Sequence, residues 1–325
     1  MDRQSTSKAN GNNNTRVTFI KSIQMRMILF MIVIMIIVMT SMIGVTAIKI
    51  MNDFDLRNQS TFLERAKYET DYVESIFNGV FNMLSGMTEA EEVKGMDAKI
   101  AQPYIESIYQ KVPGLESLVI IGANGTSVAD TAMTPGKDLS DQEYFKQAIQ
   151  GKQYVSDAVV SANTGKIVVV IAVPIMRAGK VIGVLSGSMT TTEVQKFLSD
   201  SFKGDRGESY LVNNNGYLIT ASRFDKDLLN DKKIKTRSEL EIQDNSAIVK
   251  SALTGQASVG KYTDYMGVDV IGAANPVNMP DVKWAIVTKQ EQQEAYPETK
   301  EIIDSMLGIG YGSTLVAIFL IFLFS

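Results

Sequence analysis

Chemistry in this chain falls to carboxylates, hydroxyls, amides and aromatic rings, because its 325 residues include no histidine and no cysteine. That removes imidazole bases, thiolate nucleophiles and the usual ligands of zinc and other transition metals. Serine and lysine are plentiful, yet no spacing sets a base beside a nucleophile, so no catalytic residue, metal or cofactor is expected. The densest set of groups suited to binding lies in and around "DLSDQEYFKQAIQGKQYVS", residues 138–156. Tyr144 and Phe145 offer ring faces for stacking or cation–π contact, and Gln142 and Ser156 offer neutral hydrogen bonds. Asp141, with Asp130 and Asp157 on either side, could receive a cationic group, and Ser186 and Ser188 of "GKVIGVLSGSM" add hydroxyls. Together they suit a small polar molecule with a flat or apolar part. Each has a plainer reading too: the aromatic pair as core of a short helix, the aspartates as caps or turn formers.

What positions these residues begins at the two ends of the chain. Residues 27–48, "MILFMIVIMIIVMTSMIGVTAI", run without a charge for long enough to cross roughly 30 Å of hydrocarbon as a helix. Arg3, Lys8, Arg16, Lys21 and Arg26 precede them against the single acid Asp2, which places the tail 1–26 in the cytoplasm and the following residues outside. The apolar stretch is longer than a signal-peptide core and ends in no A-x-A-like site, which favours an uncleaved anchor. A second uncharged segment at 305–325 is expected to return the chain across the membrane, with Gly308 and Gly312 forming a GxxxG that would let two helices approach. Pro297 is expected to start the helix that enters it.

Between the spans, Leu63, Ala66, Val73, Phe77, Val80, Leu84 and Met87 recur at steps of three and four around Thr70, predicting a long amphipathic helix. Its stripe fits either the protein's own sheet or a second copy in a homodimer. "NDFDLRNQS" near residue 52 lacks the glycine and distal glutamate of a calcium loop and reads as polar helix. A shorter helix is expected near Asp97–Lys111, and another at 191–202.

Strands then appear twice. "ESLVIIGANGTSVA" (116–129) and "ESYLVNNNGYLITA" (208–221) share an apolar run, an Asn-Gly turn and a second run, which predicts two hairpins with type I′ turns. Each is followed by a strand pair, at 165–189 and 267–290. The fold class expected is α+β: a long stalk helix, then two antiparallel-sheet modules at about 90–203 and 204–290, within an external region 49–304. Trp284 reads as core of the second module. The net charge of −4 argues against a nucleic-acid partner, and "DKKIKTR" (231–237) reads as a solvated loop or helix face.

This order of elements resembles the double Cache sensor family of bacterial extracytoplasmic receptors. The segments "DLSDQEYFKQAIQGKQYVSDAVVSANTGKIVVVIAVPIM" (138–176) and "GKVIGVLSGSM" (179–189) look like its membrane-distal module. The resemblance implies two PAS-like modules, a ligand pocket around "DQEYFKQA" and, in most members, a cytoplasmic chemotaxis rod, histidine kinase or cyclic-dinucleotide enzyme. No such output module is in this sequence, so the chain reads as the sensory half of a receptor, most like a methyl-accepting chemotaxis protein in the inner or plasma membrane. The family's amino-acid-binding members carry an Arg-x-Trp-Tyr pattern and a later Asp. Here Gln142 matches the Arg, Tyr144 and Phe145 the aromatics, and Ser188 the Asp. Both charged clamps are missing, which predicts a small-molecule ligand other than an α-amino acid. An anchored enzyme and a ligand-free interaction domain are the rival readings.

Overall fold

The computed structural model describes residues 23–324 apart from Thr134 and Lys203; most of the expected cytoplasmic tail lies outside them. The chain divides into two units, Asp55–Tyr296 and the two ends beyond it.

Helix α1 (Ile23–Met87) runs unbroken for 65 residues. Its first part carries a stretch long and apolar enough to cross a membrane, none of it buried by the protein. From residue 55 the character changes to one-sided. Ala66, Val73, Phe77, Val80, Leu84 and Met87 are all buried, and Leu63 is half-buried. The stripe therefore packs against the protein's own sheets. Its polar member is also satisfied: the Thr70 hydroxyl donates back to the Ala66 carbonyl at 2.8 Å and accepts from Asn275 Nδ2 at 3.0 Å. The acids of "NDFDLRNQS" are helical as expected, and Asp55 pairs with Lys261 at 2.7 Å.

Helix α2 (Glu91–Lys94) is a single turn, and α3 (Ala98–Tyr109) starts at Asp97, whose carboxylate accepts the Lys99 N–H at 2.9 Å. The first sheet follows: β1 (Leu115–Gly122), β2 (Ser127–Asp130), β3 (Tyr154–Val155), β4 (Val159–Val160), β5 (Ile167–Arg177) and β6 (Lys180–Thr190), with helix α4 (Glu143–Ala148) between β2 and β3. The order is β2-β1-β6-β5-β3, with β4 also on β5, all antiparallel. Period-two alternation sorts β1 cleanly. Leu118 and Ile120 face the α1 core, while Val119 and Ile121 face a smaller cluster under α4.

Helix α5 (Thr192–Ser201) leads to the second sheet, β7 (Gly207–Val212), β8 (Ser258–Thr263), β9 (Asp269–Met279) and β10 (Val282–Glu291), ordered β7-β10-β9-β8. Helices α6 (Asp225–Asn230) and α7 (Ala247–Leu253) cover its far side. Trp284 is core, as expected, with its ring edge-on to Phe77 at 5.5 Å. "DKKIKTR" is loop, but Ile234 within it is buried. Helix α8 (Gln292–Ala295) is one turn, and α9 (Pro297–Phe324) starts at the proline, where the missing N–H costs no helical bond. Inside the unit formed by the chain's ends, Gly310 meets Ile43: a Cβ there would lie 2.4 Å from its Cδ1. Gly308 and Gly312 meet nothing within 4 Å, so the close approach uses the glycine between those of the expected motif.

Two expectations about turns need correction. At both Asn-Gly sites only the glycine has positive φ, +83° at Gly125 and +80° at Gly216, whereas a type I′ turn needs two such residues. Gly125 N–H donates to Gly122 O, and Gly216 N–H to Asn213 O, each at 2.9 Å, which makes both a type I turn closed by a bulge glycine. The two-residue pattern with positive φ at both positions occurs instead at Ala178 and Gly179, joining β5 to β6. The second arm of the second hairpin is also not a full strand. Leu218 bridges Val212, but its N–H goes to Ile242 O and its carbonyl accepts from Leu240, so a loop takes the place of a regular ladder.

Candidate ligand site

Antiparallel pairing places directly opposed residues on the same face of a sheet, so register alone assembles much of the first-sheet site. One row reads Tyr154, Ala172, Ser186, Val119, Asp130 across β3, β5, β6, β1 and β2. The next row reads Val170, Ser188, Ser117. Ser156 joins that row from outside β3: its N–H donates to Val170 O and its hydroxyl accepts the Val170 N–H, both at 2.9 Å. The face is thus polar along Ser117, Ser188 and Ser156, and apolar at Val119, Ile121, Ala172 and Val184, where α4 covers it. A surface divided in this way can hold a molecule with one hydrogen-bonding and one apolar part.

Helix α4 decides what its residues can reach. Phe145 is buried in the cluster with Leu139 and Ala148, while Tyr144 is half-buried beside it. Burial, with the nearby Asp130 carboxylate adding to it, pushes the Tyr144 hydroxyl up to about 12, so it is a neutral donor at any physiological pH. Asp130 itself is buried at the end of β2; Oδ1 accepts the N–H groups of Ala132 at 2.8 Å and Met133 at 3.1 Å. Gln102 of α3 holds its backbone through two bonds of 2.9 Å, fixing this edge of the row.

The sequence-selected residues do not all converge. Asp130, Tyr144, Phe145, Ser186, Ser188 and Ser156 share the first sheet's α4 face. Asp141 and Gln142 are exposed at the start of α4, and Gln142 caps the helix by position without a side-chain bond. Asp157 points elsewhere. Its Oδ1 accepts the Trp284 indole N–H at 3.0 Å and its Oδ2 accepts from Asn213 Nδ2 at 3.2 Å, tying the first sheet's β3–β4 segment to the second sheet. The Arg237 guanidinium makes a second tie, donating to Gly165 O at 2.8 Å. Tyr154 was not selected from sequence, although it ends the central row; burial first, then Glu143, raises its hydroxyl above the ordinary value. The Tyr154-x-Ser156 alternation is the signal that could have found it.

A further polar centre lies where α1 meets the end of α5 and the second sheet. Glu69 is fully buried, with Oε1 accepting Ser201 Oγ at 2.6 Å and Ser209 Oγ at 2.8 Å, and Oε2 without a partner. Burial raises its carboxyl to about 7 against the opposing pull of the two hydroxyls and Arg65.

The architecture is a long helix carrying two antiparallel sheets, with a polar row beneath a short covering helix on the first. The chain belongs to the Cache domain family, which matches residues 50–298. A curated relative, the methyl-accepting chemotaxis protein McpA of Pseudomonas putida, is 25% identical over 178 residues, 54% of this chain. The chain spans about a quarter of that relative's length, 26%. Among solved structures, the ligand-binding domain of the Pseudomonas aeruginosa chemoreceptor PctC in complex with GABA has a TM-score of 0.54 at 18% identity, covering 72% of this chain and 99% of that one. The ligand-binding domain of the Pseudomonas fluorescens chemoreceptor CtaA with L-isoleucine has a TM-score of 0.56 at 19% identity, covering 77% and 97%. At these identities the structures establish the fold.

Proposed function

We propose that the chain is the extracytoplasmic sensor region of a transmembrane chemoreceptor, taking a small molecule on the α4 face of the first, membrane-distal sheet. The observation that carries this reading is the row Tyr154, Ser186, Asp130 and its neighbour Ser156, Ser188, Ser117, set beside apolar residues on a Cache scaffold. The apolar start of α1 supports an anchor, and the uncharged stretch within α9 supports a second crossing through which the signal passes. A ligand alters the inside only by preferring one arrangement of these helices, and by no more than that preference. The chemotaxis relative favours a chemotaxis output over a kinase or cyclase. No residue here is assigned to catalysis.

Ligand class separates two readings. The exposed Gln142 and the neutral Ser188, where the family's amino-acid binders carry charges, favour a ligand without the α-amino-acid clamp. The amino acids named for the related domains favour an α-amino acid on the same face instead. A thermal-shift screen of the full chain in detergent against amino acids, amines, organic acids and nucleobases decides, because a ligand of the folded form raises its melting point. An amine or organic-acid hit supports the first reading, and an α-amino-acid hit the second. A hit unaffected by Ser186→Leu would move the site off this face.

A further inference from the structure

The second sheet holds a charged cluster that the ligand reading leaves unused. Lys289 on β10 is 2% exposed, yet its ammonium is fully surrounded. Glu208 Oε1 lies 3.1 Å away, Asp264 Oδ2 is a closer partner, and the rings of Tyr265 and Tyr210 lie 4.1 and 5.7 Å from the nitrogen. The carboxylates are themselves held. Glu208 accepts Ser222 Oγ at 2.9 Å and the Tyr265 hydroxyl, and Asp264 Oδ1 accepts the N–H groups of Met266 and Val268 at 2.9 Å. Two carboxylates and two ring faces around one nitrogen form a cage for an organic ammonium ion.

Register shows what the lysine replaces. Counting back eight residues from the turn glycines, Gly125 and Gly216, reaches Ser117 and Glu208; their β6 and β10 partners are Ser188 and Lys289. Lys289 thus stands at the second sheet's equivalent of Ser188, a member of the first sheet's polar row. On the next strand Val170 pairs with Ser188, whereas Gly272 pairs with Lys289. A Cβ on Gly272 would lie 2.9 Å from the Lys289 Cβ, so the glycine makes room for the lysine stem. A groove of about 340 Å³, lined in part by Arg206, Phe224, Asp264 and Lys289, opens onto the cage.

We propose that the second sheet carries a primary-ammonium site formed by Glu208, Asp264, Tyr265 and Tyr210, occupied by the chain's own Lys289 as a tethered ligand. The two sheets then differ in one respect: the first presents a neutral row to an outside molecule, and the second is filled from within. Lys289→Ala removes three methylenes and the ammonium, the shape of propylamine. In the full chain in detergent, Lys289→Ala melts below the wild type, and about 10 mM propylammonium raises it by about 3 °C while propanol does not. The wild type is unmoved by the amine. Should Lys289→Ala fail to fold alone, refolding yield is the reading: recovery with propylammonium only supports the site. Equal effects of amine and alcohol, no effect of either, or equal yields with and without amine overturn it.

Discussion

Glu69→Gln tests whether the junction of α1 with α5 and the second sheet is built around a carboxyl that prefers to be neutral. The structure places this side chain at full burial with one oxygen unpartnered and the other shared by Ser201 at the end of α5 and Ser209 in β7. Its folded value of about 7 stands above the ordinary 4.5, so between those limits the native state keeps a proton that the unfolded chain releases. Stability is then fully present below pH 4.5, falls as pH rises, and levels off above about 7. At 1.36 kcal/mol per pH unit, the loss is about 3 kcal/mol. Glutamine keeps the acceptor for both hydroxyls but cannot ionise. Chemical unfolding of the full chain in detergent at pH 5 and pH 8 is the assay, read as the difference between wild type and variant so that other titrating groups cancel. The wild type loses about 2.5 kcal/mol relative to Glu69→Gln on going from pH 5 to pH 8. Parallel pH profiles for the two proteins would mean that Glu69 is as readily ionised in the folded chain as in the unfolded one.

Three further outcomes follow from local geometry. Asp157→Ala leaves the buried Trp284 indole N–H without its acceptor, lowering stability by about 1–3 kcal/mol; because Trp284 is the single tryptophan, its emission maximum reports the loss directly. Gly125→Ala places a Cβ 2.5 Å from Ser140 Cβ at a φ of +83°, and denaturant titration finds a cost of about 2–3 kcal/mol. Phe145→Ala opens a cavity under α4, with a stability loss of about 3–5 kcal/mol and weaker binding of any first-sheet ligand in calorimetry.

The α1 stripe was legible because burial on one side of a helix imposes steps of three and four on the sequence itself, and the single polar member, Thr70, found its partner at the same depth. The paired strands were legible for the same reason of local period, and the Asn-Gly dipeptides marked the right bends. Their type was not, since whether one or two residues take positive φ depends on what the loop meets: Gly216 is held by Asp244, whose N–H bonds its carbonyl at 2.9 Å. Site residues divided along the same line. Phe145 and Ser186 follow from alternation or helix periodicity, whereas Asp157 turns to Trp284, 127 positions away, and no local pattern announces such a bond. The Lys289 cage is likewise assembled from three separate segments of the second sheet.

The proposed site for a small molecule is the first sheet's α4 face. It is tested by calorimetric titration of the full chain with the strongest thermal-shift hit, repeated on Ser186→Leu. The wild type binds the hit, and Ser186→Leu, shown to be folded by its melting transition, does not. Binding that survives Ser186→Leu unchanged would contradict it.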